Sequence, residues 1–274
     1  MAKQRLDVLL AERGLFPSRS RAAASVMAGE VQLGSAGRRA SKPGEMVESD
    51  ELVELLTGPE YVSRGGIKLA NALEHTGVAV AGRRALDVGS STGGFTDCLL
   101  QRGAREVIAV DVGYGVLDYR LRQDPRVLVM ERTNARELSP GTLPPSPSGA
   151  SELPDLATVD VSFISLAKVL PAVLSCLRDP FDVLAMVKPQ FELGRGRVPR
   201  GGVVRDAALR REALVSVGTA AVALGVAVVG YSSSGLPGPK GNRETFVRLV
   251  PRDPTGGGPQ DVAEIERMAC EVEP

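Results

Sequence analysis

One stretch constrains the fold of this chain more than any other, the run A-L-D-V-G-S-S-T-G-G-F-T-D at residues 85–97. A short apolar segment ends at an acid and continues into a glycine-rich turn, and residues 95–102 can form a helix. Strand, turn and helix in this order bring backbone N–H groups and a helix N-terminus against a ligand. Gly89, Gly93 and Gly94 tolerate positive φ and let the ligand approach the backbone closely. Because a plain turn needs one glycine, three glycines predict a binding loop.

The spacing of this loop argues against a nucleoside triphosphate. A phosphate-binding loop follows the pattern G-x-x-x-x-G-K-[ST], and a dinucleotide-binding loop follows G-x-G-x-x-G. Gly89 and Gly94 have the first spacing, but Phe95 stands where the lysine belongs, so no lysine is available for a terminal phosphate. Two acids, Asp87 before the first glycine and Asp111 at the end of the next apolar run, suit a ligand with an amine and a ribose diol.

The pattern D-V-G-S-S-T-G-G-F-T resembles motif I of S-adenosylmethionine (SAM) methyltransferases, in particular the FtsJ-like ribose methyltransferases. The resemblance implies SAM as cofactor, with the loop at its methionine moiety, Asp111 at its adenosine ribose and Asn134 near its adenine. The residues expected to bind the cofactor are Asp87, Gly89, Ser90, Gly93, Gly94, Phe95, Asp111, Asn134 and Asp160.

Strands and helices alternate from residue 85 onward, which predicts an α/β domain with a parallel sheet and helices on both faces. The expected strands are residues 85–88, 106–111, 126–130, 156–160, 181–187, 226–231 and 244–250. The expected helices are residues 67–74, 95–102, 165–177 and 206–224. Residues 214–231 are uncharged, but their three glycines indicate the end of a buried helix and a following strand rather than a membrane span.

Residues 1–57 predict a small separate α+β module. Apolar residues at helical spacing indicate two helices, with Leu6, Leu9 and Leu10 in the first and Ala22, Ala23, Val26 and Met27 in the second. Ser18 or Ser20 can cap the second helix, and residues 31–33 and 52–56 carry strand signals. The pattern R-L-D-x-L-L-x-x-x-G-L-x-x-S-R-S-R-A, with the later G-x-V, K-P and D-x-x, resembles an S4 RNA-binding domain.

Charge is distributed unevenly along this module, although acids and bases balance at 33 each over the whole chain. Residues 1–42 carry eight Lys/Arg against three acids, whereas residues 43–57 carry five acids and no bases. Long cationic side chains meet phosphates and give affinity and orientation more than sequence reading. The residues expected to contact RNA are Arg5, Arg19, Arg21, Lys42 and Arg64. Aromatic content is only 4% with no Trp, so base-stacking platforms are not expected.

Polar residues follow or precede three of the expected strands. Asp160 begins the motif D-V-S-F-I-S-L, Lys188 begins K-P-Q-F-E, and Glu244 opens the last strand; Lys68 lies on the helix before the binding loop. Ordinary ion pairing at strand ends would explain any one of them. Together they resemble the K-D-K-E catalytic set of FtsJ-like ribose 2′-O-methyltransferases.

This resemblance implies a role for each member of the set. Lys188 would act nearest the 2′-hydroxyl, either as a base, if its pKa is lowered, or through its positive charge on the developing alkoxide. Asp160 and Glu244 would hold the two ammonium groups, and Lys68 would help to position the ribose. Alignment of nucleophile, methyl group and sulfur would supply much of the remaining acceleration.

The S4-like module and the methyltransferase-like domain together resemble the TlyA, or haemolysin A-like, family over residues 4–250. The resemblance implies SAM-dependent 2′-O-methylation of cytidine in ribosomal RNA of the small or large subunit, with ribosomal RNA or subunits as partner and a cytoplasmic location. It implies an S4 domain at 1–57, a linker at 58–63, a methyltransferase domain at 64–254 and a tail at 255–274. Within this tail, residues 260–271 can form a short helix.

Two other functions compete with this interpretation: a non-catalytic RNA-binding or ribosome-assembly protein, and a membrane-active haemolysin. Neither a secretory signal nor an amphipathic basic helix is visible, so no membrane partner is expected. Cys98, Cys176 and Cys270 lie far apart and make neither a metal-ligand spacing nor a disulfide framework, so no metal is expected. Arginines at 195, 197, 200 and 205 alternate with glycines and predict a basic loop that can close on RNA. The sequence leaves the oligomeric state open.

Overall fold

The computed structural model describes residues 3–27, 30–35, 37–55, 60–146, 152–194, 196–238, 240–253 and 260–273. The chain forms two compact units, Met1–Glu60 and Tyr61–Pro274. The finer division that the sequence suggests, with its linker at 58–63 and its tail from 255, stays a prediction. Residues 58 and 59 of that linker lie outside the described residues.

The first unit packs two short helices on small antiparallel strands. Its elements are β1 (Lys3–Arg5), α1 (Leu6–Glu12), α2 (Arg19–Met27), β2 (Val31–Leu33), β3 (Arg38–Arg39), β4 (Met46–Glu48) and β5 (Val53–Leu55). Leu6, Leu10 and Val26, which the helical spacing identified, are buried in one core with β2 residues. Ser18 Oγ accepts a hydrogen bond from Arg21 N, so Ser18 and not Ser20 caps α2. Strands β1, β3 and β4 were not predicted, since β1 and β3 contain only polar residues and the apolar residues of β4 do not alternate with polar ones.

The second unit is built on one sheet, which has seven strands in the described part of the chain. They are β6 (Arg84–Val88), β7 (Glu106–Val110), β8 (Val127–Met130), β9 (Leu156–Val159), β10 (Asp182–Val187), β11 (Val226–Ser233) and β12 (Thr245–Pro251). Their order is β11-β12-β10-β9-β6-β7-β8. All neighbours are parallel except β12, which is antiparallel to both β10 and β11.

Helices cover both faces of this sheet. They are α3 (Arg64–Thr76), α4 (Gly94–Gln101), α5 (Tyr119–Arg122), α6 (Leu170–Ser175), α7 (Pro189–Glu192), α8 (Ala207–Ala223) and α9 (Val262–Val272). Strand β10 shows why two layers form, because its side chains alternate between faces. Leu184 and Met186 pack in the core that contains α3 and α4. Val183, Ala185 and Val187 pack in the opposite core with α6, α8 and α9.

The sheet is mostly parallel, as the sequence predicts, and the one antiparallel strand, β12, has a consequence for the site. Residue pairs Val88–Val159, Val159–Ala185 and Val187–Thr245 lie side by side across the sheet. Asp160 and Lys188 therefore follow their strands at one edge. Glu244 precedes its strand and reaches that edge only because β12 runs in the opposite direction.

The uncharged run at 214–231 forms the end of α8 and the first part of β11, as the sequence predicted. Among the residues that the structure describes, no helix is both long and apolar enough to cross a membrane. Helix α9 confirms the short helix expected near 260–271. Its Ile265 and Ala269 belong to the core of the second unit.

Candidate active site

A cavity of about 710 Å³ opens at the carboxyl edge of the sheet. Strand order reverses here, since β7 and β8 lie on one side of β6 and β9 lies on the other. Such switch points are where open α/β sheets bind ligands, and the volume lies within the ~300–1,000 Å³ usual for ligand sites. The predicted site residues that line this cavity are Arg64, Lys68, Gly89, Ser90, Gly94, Phe95, Asp160, Lys188 and Glu244.

The glycine-rich loop forms one wall of the cavity. Gly89 has a φ of +86°, and a Cβ on it would lie 2.5 Å from the carbonyl oxygen of Asp160. Gly93 has a φ of +98° and is the N-cap of α4. The loop therefore brings β6, α4 and the residue after β9 together more closely than any side chain would permit.

Four predicted cofactor residues do not line the cavity: Asp87, Gly93, Asp111 and Asn134. Asp111 accepts hydrogen bonds from Ser91 N at 2.8 Å and Gly113 N at 2.7 Å, which fix the binding loop to the end of β7. Asn134 caps a short 3-10 helix by accepting a hydrogen bond from Arg136 N. The roles of these residues at a cofactor stay predictions.

Asp87 lies behind the loop and is fully buried. Its carboxyl group accepts hydrogen bonds from the hydroxyls of Thr96 at 2.7 Å and Thr158 at 3.0 Å. Burial raises the pKa of Asp87 to about 7, and the nearby charge of Asp160 adds to this, although the two hydroxyls oppose it. The sequence predicts that Asp87 contacts a ligand amine. In the structure its carboxyl group accepts hydrogen bonds from two threonines of the protein.

This raised pKa predicts a pH-dependent stability. Between pH ~4, where an unfolded aspartate loses its proton, and pH ~7, the folded Asp87 keeps a proton that the unfolded chain has lost. Raising the pH through this window should therefore lower the free energy of unfolding, by at most ~1.4 kcal/mol per pH unit from this group. Asp87→Asn should remove that slope. Urea unfolding of both proteins at several pH values measures it, and parallel curves would contradict the prediction.

Two ion pairs line the cavity. Lys68 Nζ on α3 pairs with Glu244 Oε2, and both side chains are buried. Lys188 Nζ forms an ion pair with Asp160 Oδ1 at 2.5 Å and donates a hydrogen bond to Ser162 Oγ at 2.9 Å. The structure thus assembles the four residues that the sequence grouped, each lysine with one carboxylate. Removing charged groups from water costs free energy, and ion pairs that line a cavity are therefore more often functional than structural.

Helix α3 begins earlier than residue 67, at Arg64, because the hydroxyl of Ser63 caps it. The sequence did not indicate this earlier start, because Gly65 and Gly66 are poor helix formers. The structure explains Gly66, because a Cβ there would collide with the ring of Tyr61. The residue that follows Tyr61 donates its backbone N–H to Asp97 of α4 at 2.8 Å. These contacts fix the helix that carries Lys68 against the helix after the binding loop.

Phe163 is a feature of the site that the sequence argument missed. It lines the cavity, is 91% exposed, and has a φ of +65°. A bulky residue in the left-handed region costs ~1–3 kcal/mol and persists only where its surroundings impose it. The low aromatic content suggested that no stacking surface was available. The position of Phe163 directly after the strand-end motif D-V-S was the signal that could have identified it.

The basic loop lies beside the cavity, and its far end is fixed by a buried asparagine. Asn242 Nδ2 donates to Gly202 O at 2.7 Å, and Asn242 Oδ1 accepts from Val204 N at 2.9 Å. Within the described residues of this loop, Arg197 pairs with Glu212 of α8. Arg195 lies outside the described residues.

One acid, Asp7, contacts two of the predicted RNA-binding residues of the first unit, Arg5 and Arg19. Asp7 is buried and accepts hydrogen bonds from Arg5 at 2.9 and 3.0 Å and from Arg19 at 3.0 Å. These contacts lower the pKa of Asp7 to about 2, and the hydrogen bond from Arg5 has the largest effect. Arg5 and Arg19 are therefore held side by side, and both are exposed, as are Arg21 and Lys42.

Comparisons with known proteins agree with this architecture. The sequence model of FtsJ-like methyltransferases matches residues 61–250, and that of the S4 domain matches residues 4–53. The 16S/23S rRNA (cytidine-2′-O)-methyltransferase TlyA of Mycobacterium tuberculosis is 48% identical over 90% of this chain and 90% of its own length. Hemolysin A of Brachyspira hyodysenteriae is 35% identical over 90% of this chain and 99% of its own. A solved structure described as a hemolysin from Streptococcus thermophilus is 40% identical, with a TM-score of 0.70 over 99% of this chain and 96% of that one.

Proposed function

Because the chain belongs to the TlyA family of FtsJ-like methyltransferases with an N-terminal S4 domain, we propose that it methylates the 2′-hydroxyl of cytidine in ribosomal RNA. The observation that carries the proposal is the pair of ion pairs, Lys68 with Glu244 and Lys188 with Asp160, on one cavity beside the glycine-rich loop. Transfer of a labelled methyl group from SAM to ribosomal RNA by the purified protein tests it.

The cavity wall fits SAM. Gly89 and Gly94 let the loop pack directly against Asp160 and the start of α3, and the N-terminus of α4 suits the carboxylate of a methionine moiety. The side-chain oxygen of Gln190 is buried at the cavity and accepts no hydrogen bond from the described residues, so it remains available to a ligand. When bound, SAM supplies an electrophilic methyl group on a sulfonium.

The residues of the chain then have distinct tasks. We assign Lys188, which lines the cavity, to taking the proton of the 2′-hydroxyl or stabilising the negative charge that develops on the oxygen. Asp160 and Ser162 keep the Lys188 ammonium in one place. Glu244 likewise fixes Lys68, which we assign to orienting the ribose. Such alignment in a site that excludes water supplies a large part of the barrier reduction in reactions of this kind.

Phe163 and Arg64 at the cavity suit the nucleotide. An exposed aromatic ring can stack on a base, which is worth ~1–3 kcal/mol, and an arginine can meet a phosphate. We assign Phe163 to the base of the target nucleotide or of its neighbour, and Arg64 to the RNA backbone.

The first unit is proposed to supply much of the RNA affinity through Arg5, Arg19, Arg21 and Lys42. Replacing both Arg19 and Arg21 by glutamine should weaken RNA binding and flatten its salt dependence. Each lost phosphate contact should reduce the slope of log K against log[salt] by ~0.7–0.9. Binding titrations at several salt concentrations measure this slope.

Arg267→Gln is the matched control for these substitutions. Arg267 is an exposed arginine on α9, 4.0 Å from Glu264, and its loss should leave the slope unchanged. An unchanged slope in the Arg19/Arg21 variant would place the RNA-binding face elsewhere, with the basic loop as the next candidate.

The two competing functions make different predictions. A non-catalytic RNA-binding protein would bind ribosomal RNA without transferring the label. A membrane-active haemolysin, which the name of the Brachyspira hyodysenteriae relative suggests, would release dye from liposomes. We expect methyl transfer and no release.

A further inference from the structure

The segment after β9, which begins with Asp160, contacts the segment after β10, which begins with Lys188, at three successive levels along the two segments. At the first, Lys188 contacts Asp160 and Ser162. At the second, the rings of Phe163 and Phe191 lie with their centroids 5.1 Å apart. The third level, which no step of the proposed mechanism uses, is the carboxylate of Glu192.

Glu192 is the last residue of α7, and it holds the segment that follows Phe163. Its Oε2 accepts a hydrogen bond from the hydroxyl of Ser165 at 2.6 Å, and its Oε1 accepts one from Leu166 N at 2.9 Å. No lysine or arginine in the described parts of the chain forms an ion pair with it. Both hydrogen bonds that its carboxyl group accepts from described residues therefore come from this one segment, and burial raises its pKa.

This contact accounts for the conformation of Phe163. A left-handed phenylalanine that is 91% exposed receives little support from packing beyond the contact of its ring with Phe191, so the residues on either side of it must help to impose its backbone. Lys188 holds Ser162 on the N-terminal side. Glu192 holds Ser165 and Leu166 on the C-terminal side, and Leu166 is itself buried in the core. Without Glu192, the hydrogen bonds to Ser165 and Leu166 would be lost, and only the hydrogen bond from Lys188 to Ser162 would remain.

We propose that Glu192 is a positioning residue, which fixes Phe163 over the cavity so that the ring can stack on the RNA base during methyl transfer. The proposal rests on the proposed function for its effect on methyl transfer, but the position of Phe163 can be measured without any reaction.

The absence of Trp from the chain gives a direct readout. In a Phe163→Trp protein the single indole reports the motion of this position by time-resolved fluorescence anisotropy. Adding Glu192→Ala should enlarge the fast component of the anisotropy decay. Adding Glu192→Gln should largely restore the slow decay, because the amide oxygen can accept from Leu166 N and the amide N–H can donate to Ser165 Oγ.

Kinetics of the same substitutions with Phe163 in place complete the test. Glu192→Ala should lower kcat roughly ten- to a hundredfold by misplacing the ring, while SAM affinity stays within about twofold. Glu192→Gln should recover most of this loss. Ser165→Ala removes one of the two hydrogen bonds, and should give a smaller loss and serve if Glu192→Ala does not fold. Glu264→Ala, an exposed acid on α9, is the control and should change neither readout.

Three results would overturn the proposal. They are an unchanged motion of the indole when Glu192→Ala is added to the Phe163→Trp protein, a loss of kcat without a change in that motion, and a Glu192→Gln protein as impaired as Glu192→Ala. Absence of methyl transfer in the wild-type protein would instead refute the proposed function. The anisotropy result would still decide whether Glu192 positions the residue at 163.

Discussion

Lys188→Ala should reduce methyl transfer by ~10²–10⁴-fold, the range usual for loss of a general acid–base group, while SAM still binds. Lys188 is the ammonium group held by Asp160 at 2.5 Å and by Ser162 at 2.9 Å, and it lines the cavity beside the glycine-rich loop. Its removal takes away the charge nearest the proposed position of the 2′-hydroxyl but leaves that loop intact. Single-turnover rates with labelled SAM and calorimetric SAM binding measure the two effects separately.

A second substitution at this position separates the two possible roles of Lys188. Lys188→Arg keeps the positive charge but cannot act as a base near neutral pH. Substantial activity would leave electrostatic stabilisation as the role, and loss comparable to that of Lys188→Ala would favour proton abstraction. Lys168→Ala, at an exposed lysine of the neighbouring 3-10 helix, should be as active as wild type. If Lys188→Ala transfers methyl groups at near the wild-type rate, the assignment of the four catalytic residues is wrong.

Gly89→Ala should reduce SAM affinity by ~30-fold or more and also impair methyl transfer. The added Cβ would lie 2.5 Å from the carbonyl oxygen and 2.9 Å from the carbonyl carbon of Asp160. Because these are backbone atoms, the clash must displace either the binding loop or Asp160 with its partner Lys188. A cost of ~2 kcal/mol or more, as for overpacking, corresponds to that loss of affinity. Calorimetry with SAM measures it.

Gly225→Ala is a closely matched control. Gly225 has a φ of +85°, against +86° for Gly89, but a Cβ on it would have no heavy atom within 4 Å. Both variants therefore carry the same backbone strain and only Gly89→Ala carries the clash. Gly225→Ala should lose some stability and keep its SAM affinity. Equal affinities in the two variants would mean that the loop does not form the cofactor site.

The sequence predicted the strands of the second unit well, because each is an apolar run with polar or turn-forming residues around it. Strands β6 to β12 begin and end within two residues of the predicted limits. What was missed depends on contacts through space. The short helices α5 and α7 have too few residues for a period to be visible. The direction of β12 follows from a hairpin pairing with β11, which no local pattern encodes.

The candidate site was predicted to the same extent and for the same reason. Strand ends and a glycine-rich loop are visible in sequence, so Asp160, Lys188 and Glu244 could be named, and the structure brings them together with Lys68. The sequence did not show which carboxylate pairs with which lysine, because Lys68 and Glu244 are far apart in the chain. Phe163 was missed because exposure and a left-handed backbone are properties of the folded loop, and Glu192 was missed because its partners Ser165 and Leu166 are distant in the chain.

The most direct test of the central claim is to identify the methylated atom. Ribosomal RNA lacking the modification is incubated with the protein and SAM carrying a deuterated methyl group, then digested to nucleosides and analysed by mass spectrometry. We predict that the wild-type protein produces labelled 2′-O-methylcytidine and that Lys188→Ala produces at least ~100-fold less at equal time. A label on a base, on another ribose alone, or on no nucleoside at all would contradict the account.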